Sequence, residues 1–248
     1  MIINKLYNLP HILWININSC KERYNYMKSQ FEFFNLKNTR IEAYNGISDD
    51  FFIYLSKPNV YQKKTFGCLC SHFKAIEYFV NNKNLGNVCL IAEDDLSIEF
   101  IKYWNKNFWD YINSIPNDYD IIQLSQIYSN MNLLNKHIDK NNMFKIKKHV
   151  LNEIWGTGIY LITRNCAENL LKKHIIKKNN KYDLLSIQST SQNNILLADI
   201  FLYKYYNTYS SPLFTINEHL HSNIQNLPIN KLPSDVMTKK CLIKLINN

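Results

Sequence analysis

Three consecutive carboxylates, Glu93, Asp94 and Asp95, directly follow an apolar run of strand length at residues 87–92. Carboxylate oxygens are the ligands that Mg²⁺ and Mn²⁺ prefer in proteins, and a cation held in this way keeps positions for water and a diphosphate. Open α/β sheets bind ligands outside the carboxyl ends of their strands, where this triplet is predicted to lie. Nucleases, phosphatases and solvated acidic turns show similar groupings, so the triplet predicts a site without naming its reaction.

Arginine is rare in this chain, with only Arg23, Arg40 and Arg164 among 29 Lys and Arg residues. The abundance of Lys, Asn, Ile and Tyr is typical of an AT-rich genome. Arg supplies a rigid bidentate fork and Lys only a point charge, so a Lys-biased chain is expected to keep Arg where fork geometry matters. Chance is the alternative explanation for these three positions.

The net charge of +9 raises the question of a nucleic-acid or anionic membrane partner. The lysines are scattered along the chain rather than clustered, so we expect no nucleic acid as a partner. Peripheral contact with a membrane surface stays open, while no run of 18 apolar residues predicts a membrane span. Without a signal peptide or an Asn-x-Ser/Thr sequon, the sequence predicts a cytoplasmic protein.

The composition predicts a globular chain, because 46% of the residues are hydrophobic and 14% are aromatic. No Pro/Gly/Ser-rich linker divides it, so we expect a single domain over residues 1–248. The six cysteines lie mostly in apolar or helical surroundings. Cys68-x-Cys70 lacks the second Cys pair or the His spacing of a zinc site, which favours reduced, packed thiols.

Hydrophobic periodicity in the first half predicts strands that alternate with helices, and this alternation indicates an α/β fold with a mostly parallel central sheet flanked by helices. Residues 47–64 are predicted to be irregular, after a turn at Asn45-Gly46. The predicted strands cover residues 11–17, 39–43, 87–92 and 119–125, and the predicted helices cover residues 20–34, 66–81 and 98–115.

The second half is less regular. Its polar, Asn-rich residues 126–143 are predicted to form a loop over a site, and residues 178–194 receive no assignment. A helix over residues 195–206 carries Asp199. The remaining predicted elements are strands over residues 144–151, 158–163 and 212–216, and a helix over residues 164–177.

Several blocks of the chain resemble glycosyltransferase family 25, which includes bacterial lipooligosaccharide galactosyltransferases and collagen galactosyltransferases. The resemblance spans roughly residues 12–224, and it depends on the order and spacing of the blocks more than on any one motif. The blocks are residues 14–18 with Glu22-Arg23, 40–46, Gly67-Cys-Leu-Cys-Ser-His72, Leu90-Ile-Ala-Glu-Asp-Asp95, 119–124, 156–160, 212–213 and 222–224.

The resemblance implies one GT-A-type domain that transfers a sugar, with galactose or glucose favoured, from a UDP-sugar to a hydroxyl of a glycan or protein, with inversion. It implies Mn²⁺ or Mg²⁺ on the diphosphate, held by Asp94 and Asp95. Ser71 and His72 are expected to open a helix whose backbone N–H groups serve the donor. The residues expected around the donor are Asn16, Asn18, Arg23, Arg40, Ser71, His72 and Glu93.

Inverting transfer needs a base for the acceptor hydroxyl proton, and Asp199 is the first candidate because it resembles the family's late Asp. Glu153 is the second candidate. His219 and His221 are candidates for a further metal ligand. Each assignment has a structural alternative: a surface charge or helix cap for Asp199, and a structural hydrogen bond for His72 and for the two late histidines. Trp155 and Tyr160 would either form an apolar wall for a sugar or pack in the core.

The family often has Asp where this chain has Asn18 and Asn45, so donor contacts by these two side chains are less secure. Two other classes of function stay open. A non-catalytic sugar-nucleotide or glycan-binding module would bind UDP without a metal-dependent rate. A metal-dependent nuclease would use the same carboxylates and bind nucleic acid in a salt-sensitive way.

Overall fold

An eight-stranded sheet forms the centre of the computed structural model, which describes residues 2–54, 57–189, 196–217, 220 and 234–247. A second sheet has three short strands in the order β3-β10-β9. The strands in chain order are β1 (Ile12–Asn16), β2 (Asn38–Glu42), β3 (Phe52–Ile53), β4 (Val88–Glu93), β5 (Leu96–Ser97), β6 (Ile121–Ser125), β7 (Lys147–Lys148), β8 (Ile159–Thr163), β9 (Lys177–Lys178), β10 (Lys181–Asp183) and β11 (Thr208–Ile216).

Helices cover both faces of the central sheet. Two short 3₁₀ helices, Lys83–Leu85 and Glu99–Tyr103, accompany the α-helices. The α-helices are α1 (Ile2–Lys5), α2 (Lys21–Phe33), α3 (Val60–Asn81), α4 (Phe108–Ile112), α5 (Met131–His137), α6 (Arg164–Lys173), α7 (Leu184–Ser189), α8 (Ala198–Lys204) and α9 (Ser234–Asn247).

The central sheet has the strand order β2-β1-β4-β8-β6-β11-β5, and β7 pairs with β11 as well. Strands β2, β1, β4, β6 and β11 run in one direction, while β8, β5 and β7 run against them. The predicted fold class is therefore confirmed: this is an α/β domain with a mostly parallel central sheet flanked by helices, consistent with a GT-A-like fold.

Two apolar cores lie on opposite faces of the sheet, because successive side chains of a strand point to opposite sides. On β1, Ile12 and Trp14 pack with Met27 of α2 in one core. Leu13 and Ile15 pack in the other core, which also contains residues of α3, α6 and α8. Strands buried on both faces read as continuous apolar runs, and this is why β1 and β4 were predictable from sequence.

Helix α3 begins at Val60, six residues before the predicted start at Phe66, so the second part of the segment predicted to be irregular is helical. Asn59 and Gln62 form a capping box, in which each side chain accepts a hydrogen bond from the other residue's backbone N–H. This Asn-x-x-Gln signal fixes the helix start. Ser71 and His72 consequently lie inside α3, and the prediction that they open a helix is wrong.

The helix predicted over residues 98–115 is divided into the 3₁₀ helix Glu99–Tyr103 and the short helix α4. Trp104 between them has an extended backbone, with φ −64° and ψ 137°. Asn107 then starts α4 with its own capping box to Asp110. The Lys5 ammonium donates to the carbonyl oxygens of Ile101 and Trp104, which satisfies acceptors that a continuous helix would have used internally.

Other predicted boundaries change in the second half. Helix α5 lies inside the predicted loop 126–143 and begins after the cap residue Asn130. The strand predicted over residues 144–151 is reduced to β7, and the helix predicted over residues 164–177 ends at Lys173. The late strand β11 begins four residues earlier than predicted, and its pairing with β6 shifts register around Pro212, which has no N–H to donate.

Candidate active site

The carboxyl ends of β1 and β4 lie side by side, and their side chains meet across the two strands. Ile15 pairs with Glu93 in the parallel register, so Asn16 lies beside Asp94. The Asn16 Nδ2 donates to Asp94 Oδ2 over 2.7 Å. Arg23, in the first turn of α2, donates from Nη1 to Asp94 Oδ1 and from Nη2 to Asp95 Oδ2, the second over 3.1 Å. One guanidinium therefore holds both aspartates.

Arg40 on β2 supports this arrangement from behind. Its Nε donates to Asn16 Oδ1 over 3.0 Å, and its Nη2 lies 3.4 Å from the Asn16 carbonyl oxygen and 3.3 Å from Asn18 Oδ1. The guanidinium also lies over the Tyr24 ring, 5.3 Å from its centroid. Arg40 therefore orients Asn16, and Asn16 orients Asp94.

Burial sets the electrostatics of these groups. It raises the pKa of Asp94, although Arg23 and Asn16 oppose this shift by stabilising the carboxylate. Burial also works against the charged form of Arg23, but the charges of Asp95 and Asp94 outweigh it and raise the pKa of the guanidinium. The attraction of the two aspartates therefore outweighs burial for Arg23, whereas burial outweighs the attraction of Arg23 for Asp94.

The loop after β2 lies directly against α3, and two glycines make this contact. A Cβ at Gly46 would lie 2.0 Å from the Lys63 carbonyl oxygen, and a Cβ at Gly67 would lie 2.9 Å from the Gly46 nitrogen. The Ser71 hydroxyl joins the two segments, since it accepts from the Tyr44 N–H over 2.9 Å and donates to the Gly67 carbonyl over 2.6 Å. Ser71 therefore fixes the loop with its side chain.

His72 is fully buried below the end of β4. Its Nδ1 lies 3.2 Å from the Tyr160 hydroxyl, and its Nε2 lies 3.5 Å from Glu93 Oε1. The same Glu93 oxygen accepts a short hydrogen bond from the Thr157 hydroxyl. Burial favours protonated Glu93, yet His72 and Thr157 together with Arg23 stabilise the carboxylate and lower its pKa.

A first cavity of about 280 Å³ opens above this cluster. It is bounded by the end of β1, the start of α2, the 43–47 loop and the middle of α3. Its charged lining residues are Arg23, Lys64, Glu93, Asp94 and Asp95. Of the residues predicted around the donor, four line this cavity, namely Arg23, Ser71, His72 and Glu93. Asn16 and Arg40 do not line it but orient Asp94 through hydrogen bonds.

A second cavity of about 380 Å³ lies on the other side of Glu93 and Asp95. Cys68, Glu93 and Asp95 line both cavities, so the two meet at these three side chains. The second cavity is otherwise bounded by residues from α3, the segment before β8 and the start of α8, namely Tyr61, Thr65, Ile127, Ser129, Trp155, Gly156, Thr157, Gly158, Leu197, Ala198, Asp199, Ile216 and Ser234.

Asp199, in the first turn of α8, lines this second cavity. Its Oδ2 accepts from the Gly156 N–H over 3.1 Å, and its Oδ1 accepts from the Ile200 N–H over 3.0 Å. Burial raises the pKa of Asp199, although these backbone donors oppose the shift. A carboxylate that is partly buried, ionisable and at the wall of a cavity has the properties of a general base.

The segment before β8 is held firmly beside Asp199. Gln123 Nε2 donates to the carbonyl oxygens of Trp155 and Gly156, each over 2.8 Å. The Tyr203 hydroxyl donates to the Gly156 carbonyl over 3.0 Å. Gly156 has φ +102°, a left-handed conformation that favours glycine. This small-residue stretch therefore has a defined shape at the wall of the cavity.

Several predicted site residues lie elsewhere. The Glu153 carboxylate binds Lys136 Nζ and His137 Nε2 and lines neither cavity. Tyr160 is buried in the core, as the packing alternative predicted, while Trp155 lines the second cavity. Asn18 is exposed and accepts from Arg40. His219 and His221 lie outside the described residues.

Lys64, Cys68 and Thr157 are among the lining residues that were absent from the predicted donor, metal and catalytic residues. Lys64 reaches the first cavity because α3 begins early, and the Asn-x-x-Gln signal at Asn59 would have revealed this. Cys68 stands four residues before His72, the spacing that brings two side chains to one face of a helix. Thr157 lies in the small stretch before β8, and only the pairing of β8 with β4 brings it to Glu93.

Comparison with curated proteins gives no significant match. Within the part of the chain that the structure describes, no helix has both the length and the apolar character needed to cross a membrane. The family model described as glycosyltransferase family 25 (LPS biosynthesis protein) matches residues 9–186. This range includes β1, α3 and β4, with Arg23, His72 and the three carboxylates Glu93, Asp94 and Asp95. The chain therefore belongs to glycosyltransferase family 25 and is a glycosyltransferase.

Proposed function

We propose that this glycosyltransferase moves a hexosyl group, with galactose or glucose favoured, from a UDP-sugar to a hydroxyl of a glycan, with inversion at the anomeric carbon. In this proposal the first cavity holds the UDP-sugar and the second holds the acceptor. A divalent cation, Mn²⁺ or Mg²⁺, assists departure of UDP. A protein hydroxyl is the alternative acceptor.

The observation that carries the proposal is that two cavities meet at Glu93 and Asp95, while Asp199 lies in the second one. Transfer between two substrates requires that the donor carbon and the acceptor hydroxyl contact each other. The base must lie on the acceptor side. A pair of cavities joined at one line of side chains provides this arrangement. A single closed pocket would not.

The first cavity suits a nucleoside diphosphate. Arg23 and Lys64 supply two cations at its wall, and the 43–47 loop with Ile15 and Ile17 supplies a less polar part for the base and ribose. The donors of Arg23 are aimed at Asp94 and Asp95, so a divalent cation held by these carboxylates would supply the further positive charge that a diphosphate at this wall needs.

The residues present fit a hard divalent cation. Asp95 lines both cavities, whereas Asp94 lines only the first and is held there by Arg23 and Asn16. We therefore propose Asp95 as the principal ligand and Asp94 as the residue that fixes its loop. When bound, the cation neutralises charge that develops on the departing UDP.

The residues of the chain then divide the chemistry between them. Asp199 accepts the proton of the acceptor hydroxyl, whose oxygen forms the new bond to the anomeric carbon. The bond from that carbon to the UDP oxygen breaks, and UDP leaves with the electron pair. The raised pKa of Asp199 makes it a stronger base than an exposed aspartate.

The lining of the second cavity favours a sugar as the acceptor. Trp155 and Tyr61 provide aromatic surface on which the apolar face of a pyranose can stack, and Thr157 and Ser129 provide hydroxyls near it. Tyr61 is 56% exposed, so the cavity is open at this side to a longer chain. A glycan chain that continues beyond the reacting sugar fits this shape.

Thermal unfolding with UDP, UDP-galactose and UDP-glucose, each with and without Mn²⁺, tests the proposal. A ligand present at 100 times its Kd stabilises the native state by about 2.7 kcal/mol. We expect a Mn²⁺-dependent rise in Tm that Asp95→Asn abolishes and Asp139→Asn, the same change at an exposed position, preserves. The absence of a shift with all three compounds under both conditions would refute the proposal.

A further inference from the structure

A thiol, an imidazole and a carboxylate converge where the two cavities meet. The Sγ of Cys68, a ring nitrogen of His72 and a carboxylate oxygen of Glu93 all lie within 4.8 Å of one another. Cys68 and His72 are one turn apart on α3 and share its face, and Glu93 ends β4. Within the described residues, this is the one group of three His, Cys, Asp or Glu side chains that has this geometry.

The His72 imidazole has a free coordination direction that points into this group. Its Nε2 is buried and has no hydrogen-bond partner among the described residues, and the nearest carboxylate oxygen, Glu93 Oε1, is 3.5 Å away. Buried polar atoms usually have a hydrogen-bond partner, and one without a partner destabilises the fold. A cation between His72 and Glu93 would satisfy both groups at once.

The surrounding hydrogen bonds are those that a metal ligand requires. The other ring nitrogen of His72 is within 3.2 Å of the Tyr160 hydroxyl, which fixes the orientation of the ring. The Thr157 hydroxyl donates to Glu93 Oε1 and holds the carboxylate. Metal-binding histidines and carboxylates usually have such supporting partners, and these partners orient the ligand atoms before the ion arrives.

The donor atoms select a class of metal ion. One sulfur, one nitrogen and one oxygen suit Zn²⁺, whereas Mg²⁺ and Mn²⁺ prefer oxygen alone. Zinc bond lengths place tetrahedral ligand atoms about 3.3–3.6 Å apart. The His72–Glu93 distance of 3.5 Å already matches this spacing. The Cys68 Sγ lies within 4.8 Å of both of these atoms, so a change in its side-chain torsion can bring it into the coordination sphere.

We propose that Cys68, His72 and Glu93 bind one zinc ion, with the fourth coordination position open to the cavities. Cys68 and Glu93 line both cavities, so the ion has a path of entry from solvent. Three protein ligands and one open position are the arrangement of a zinc site that accepts a water or a substrate atom. The site is separate from the oxygen-only cation site assigned to Asp95, and it does not depend on the proposed UDP-sugar specificity.

Cobalt titration of the chelator-treated full chain tests this site, since Co²⁺ replaces Zn²⁺ and absorbs light. We expect one equivalent of Co²⁺ to produce a thiolate-to-cobalt charge-transfer band in the near ultraviolet. Visible d–d bands should appear with the intensity that is typical of tetrahedral Co²⁺. One equivalent of Zn²⁺ should remove both, and excess Mg²⁺ should leave them. Cys68→Ser should abolish the thiolate band, and Glu93→Gln should weaken Co²⁺ binding by about 100-fold or more, beyond the loss that supporting residues cause.

Cys20→Ser is the matched control, because Cys20 is also a partly exposed thiol that lines the first cavity. It should keep the wild-type spectrum. Asp95→Asn should also keep the cobalt bands even though it removes the Mn²⁺-dependent effect of UDP, so the two metal assignments can fail separately. A wild-type chain without a thiolate band, or a Cys68→Ser variant that retains it, would overturn the zinc site.

Discussion

The two aspartates that follow β4 have different surroundings, and these surroundings separate their tasks. Asp94 accepts at both oxygens, from Asn16 and from Arg23, and only 8% of its side chain is exposed. Asp95 shares Arg23 but lines both cavities. Adjacent residues of the same type thus serve as a positioning residue and as a proposed cation ligand.

Asparagine at each position should separate these roles. Burial raises the pKa of Asp94, but an asparagine there has one acceptor for two donors and leaves the buried Arg23 guanidinium with one counter-charge fewer. Asp94→Asn is therefore expected to lower the free energy of unfolding by about 1.5–3 kcal/mol at pH 7. Asp95→Asn should cost less stability but remove the Mn²⁺-dependent rise in Tm with UDP. Urea unfolding and the nucleotide shift measure the two effects. Equal loss of stability in both variants would contradict the division.

Asp199→Asn tests the base. The amide keeps an acceptor for the Gly156 N–H but cannot take a proton, so we expect turnover to fall by about 10²–10⁴-fold with UDP binding unchanged. Because burial raises the pKa of Asp199, the carboxylate costs stability once pH exceeds that pKa. In Asp199→Asn this cost is removed while the Ile200 N–H loses its acceptor, so we expect the free energy of unfolding at pH 7 to stay within about 1 kcal/mol of the wild type. The acidic limb of kcat/KM should lie above the usual pKa of an aspartate and be absent in the variant.

At the scale of elements, the shape of the first cavity depends on how closely the 43–47 loop approaches α3. Gly67 lies inside the helix, where a glycine would ordinarily be about 1 kcal/mol worse than alanine. Its missing side chain leaves room for the backbone of Gly46 and Tyr44, both about 3 Å from the position of a Cβ. The cost of glycine in the helix is offset by this approach.

Gly67→Ala is therefore expected to lower the free energy of unfolding. Without the loop contact it would stabilise the protein, but the contact is with backbone atoms, and we expect a loss of roughly 1–3 kcal/mol together with weaker UDP binding. Gly86→Ala is the control, because nothing lies within 4 Å of its Cβ position and only its φ of +82° is strained. It should lose stability without any change in UDP binding. A stabilised Gly67→Ala would show that the loop can move away.

The sequence predicted the elements that carry their own local signal. Strands β1 and β4 are apolar runs that end in Asn16 and in Glu93, so the two strand ends beside the first cavity were predictable. The contributions of Lys64 and Thr157 were not, because they depend on where α3 starts and on the pairing of β8 with β4. Glu153 failed to reach the cavities for the same reason: its place is fixed by α5, a helix in a predicted loop.

At the scale of the whole molecule, buried neutral histidines make stability depend on pH. His149 is partly buried against the Tyr203 ring, and neither ring nitrogen has a hydrogen-bond partner among the described residues. Burial, with a smaller contribution from His137, lowers the pKa of His149 to about 4. The unfolded chain binds a proton near pH 6.5, so the contribution of His149 is present above that pH and is lost as pH falls toward 4.

His149→Phe should reduce this dependence. One pKa unit corresponds to about 1.4 kcal/mol, so the wild type is expected to lose up to about 3 kcal/mol through His149 between pH 6.5 and 4. The phenylalanine variant keeps a ring against Tyr203 and should lose correspondingly less over that range. Urea unfolding at pH 7, 5.5 and 4.5 measures the difference. Parallel stability curves for the two proteins would exclude His149 as a source of the acid sensitivity.

The reversed direction of β8 has a further consequence for how this chain can diversify. Because β8 runs against β4, residues before it arrive at the edge where β4 ends, and the Glu93 N–H donates to the Gly158 carbonyl over 2.9 Å. That ladder keeps Gly158 in place whatever precedes it. Under the proposed assignment of the cavities, the part of the segment between β6 and β8 that precedes Thr157 can change in length or composition and alter the acceptor side, while Thr157 keeps its hydrogen bond to Glu93. The residues that would select the acceptor and those that would bind the donor thus lie on parts of one sheet that can mutate independently.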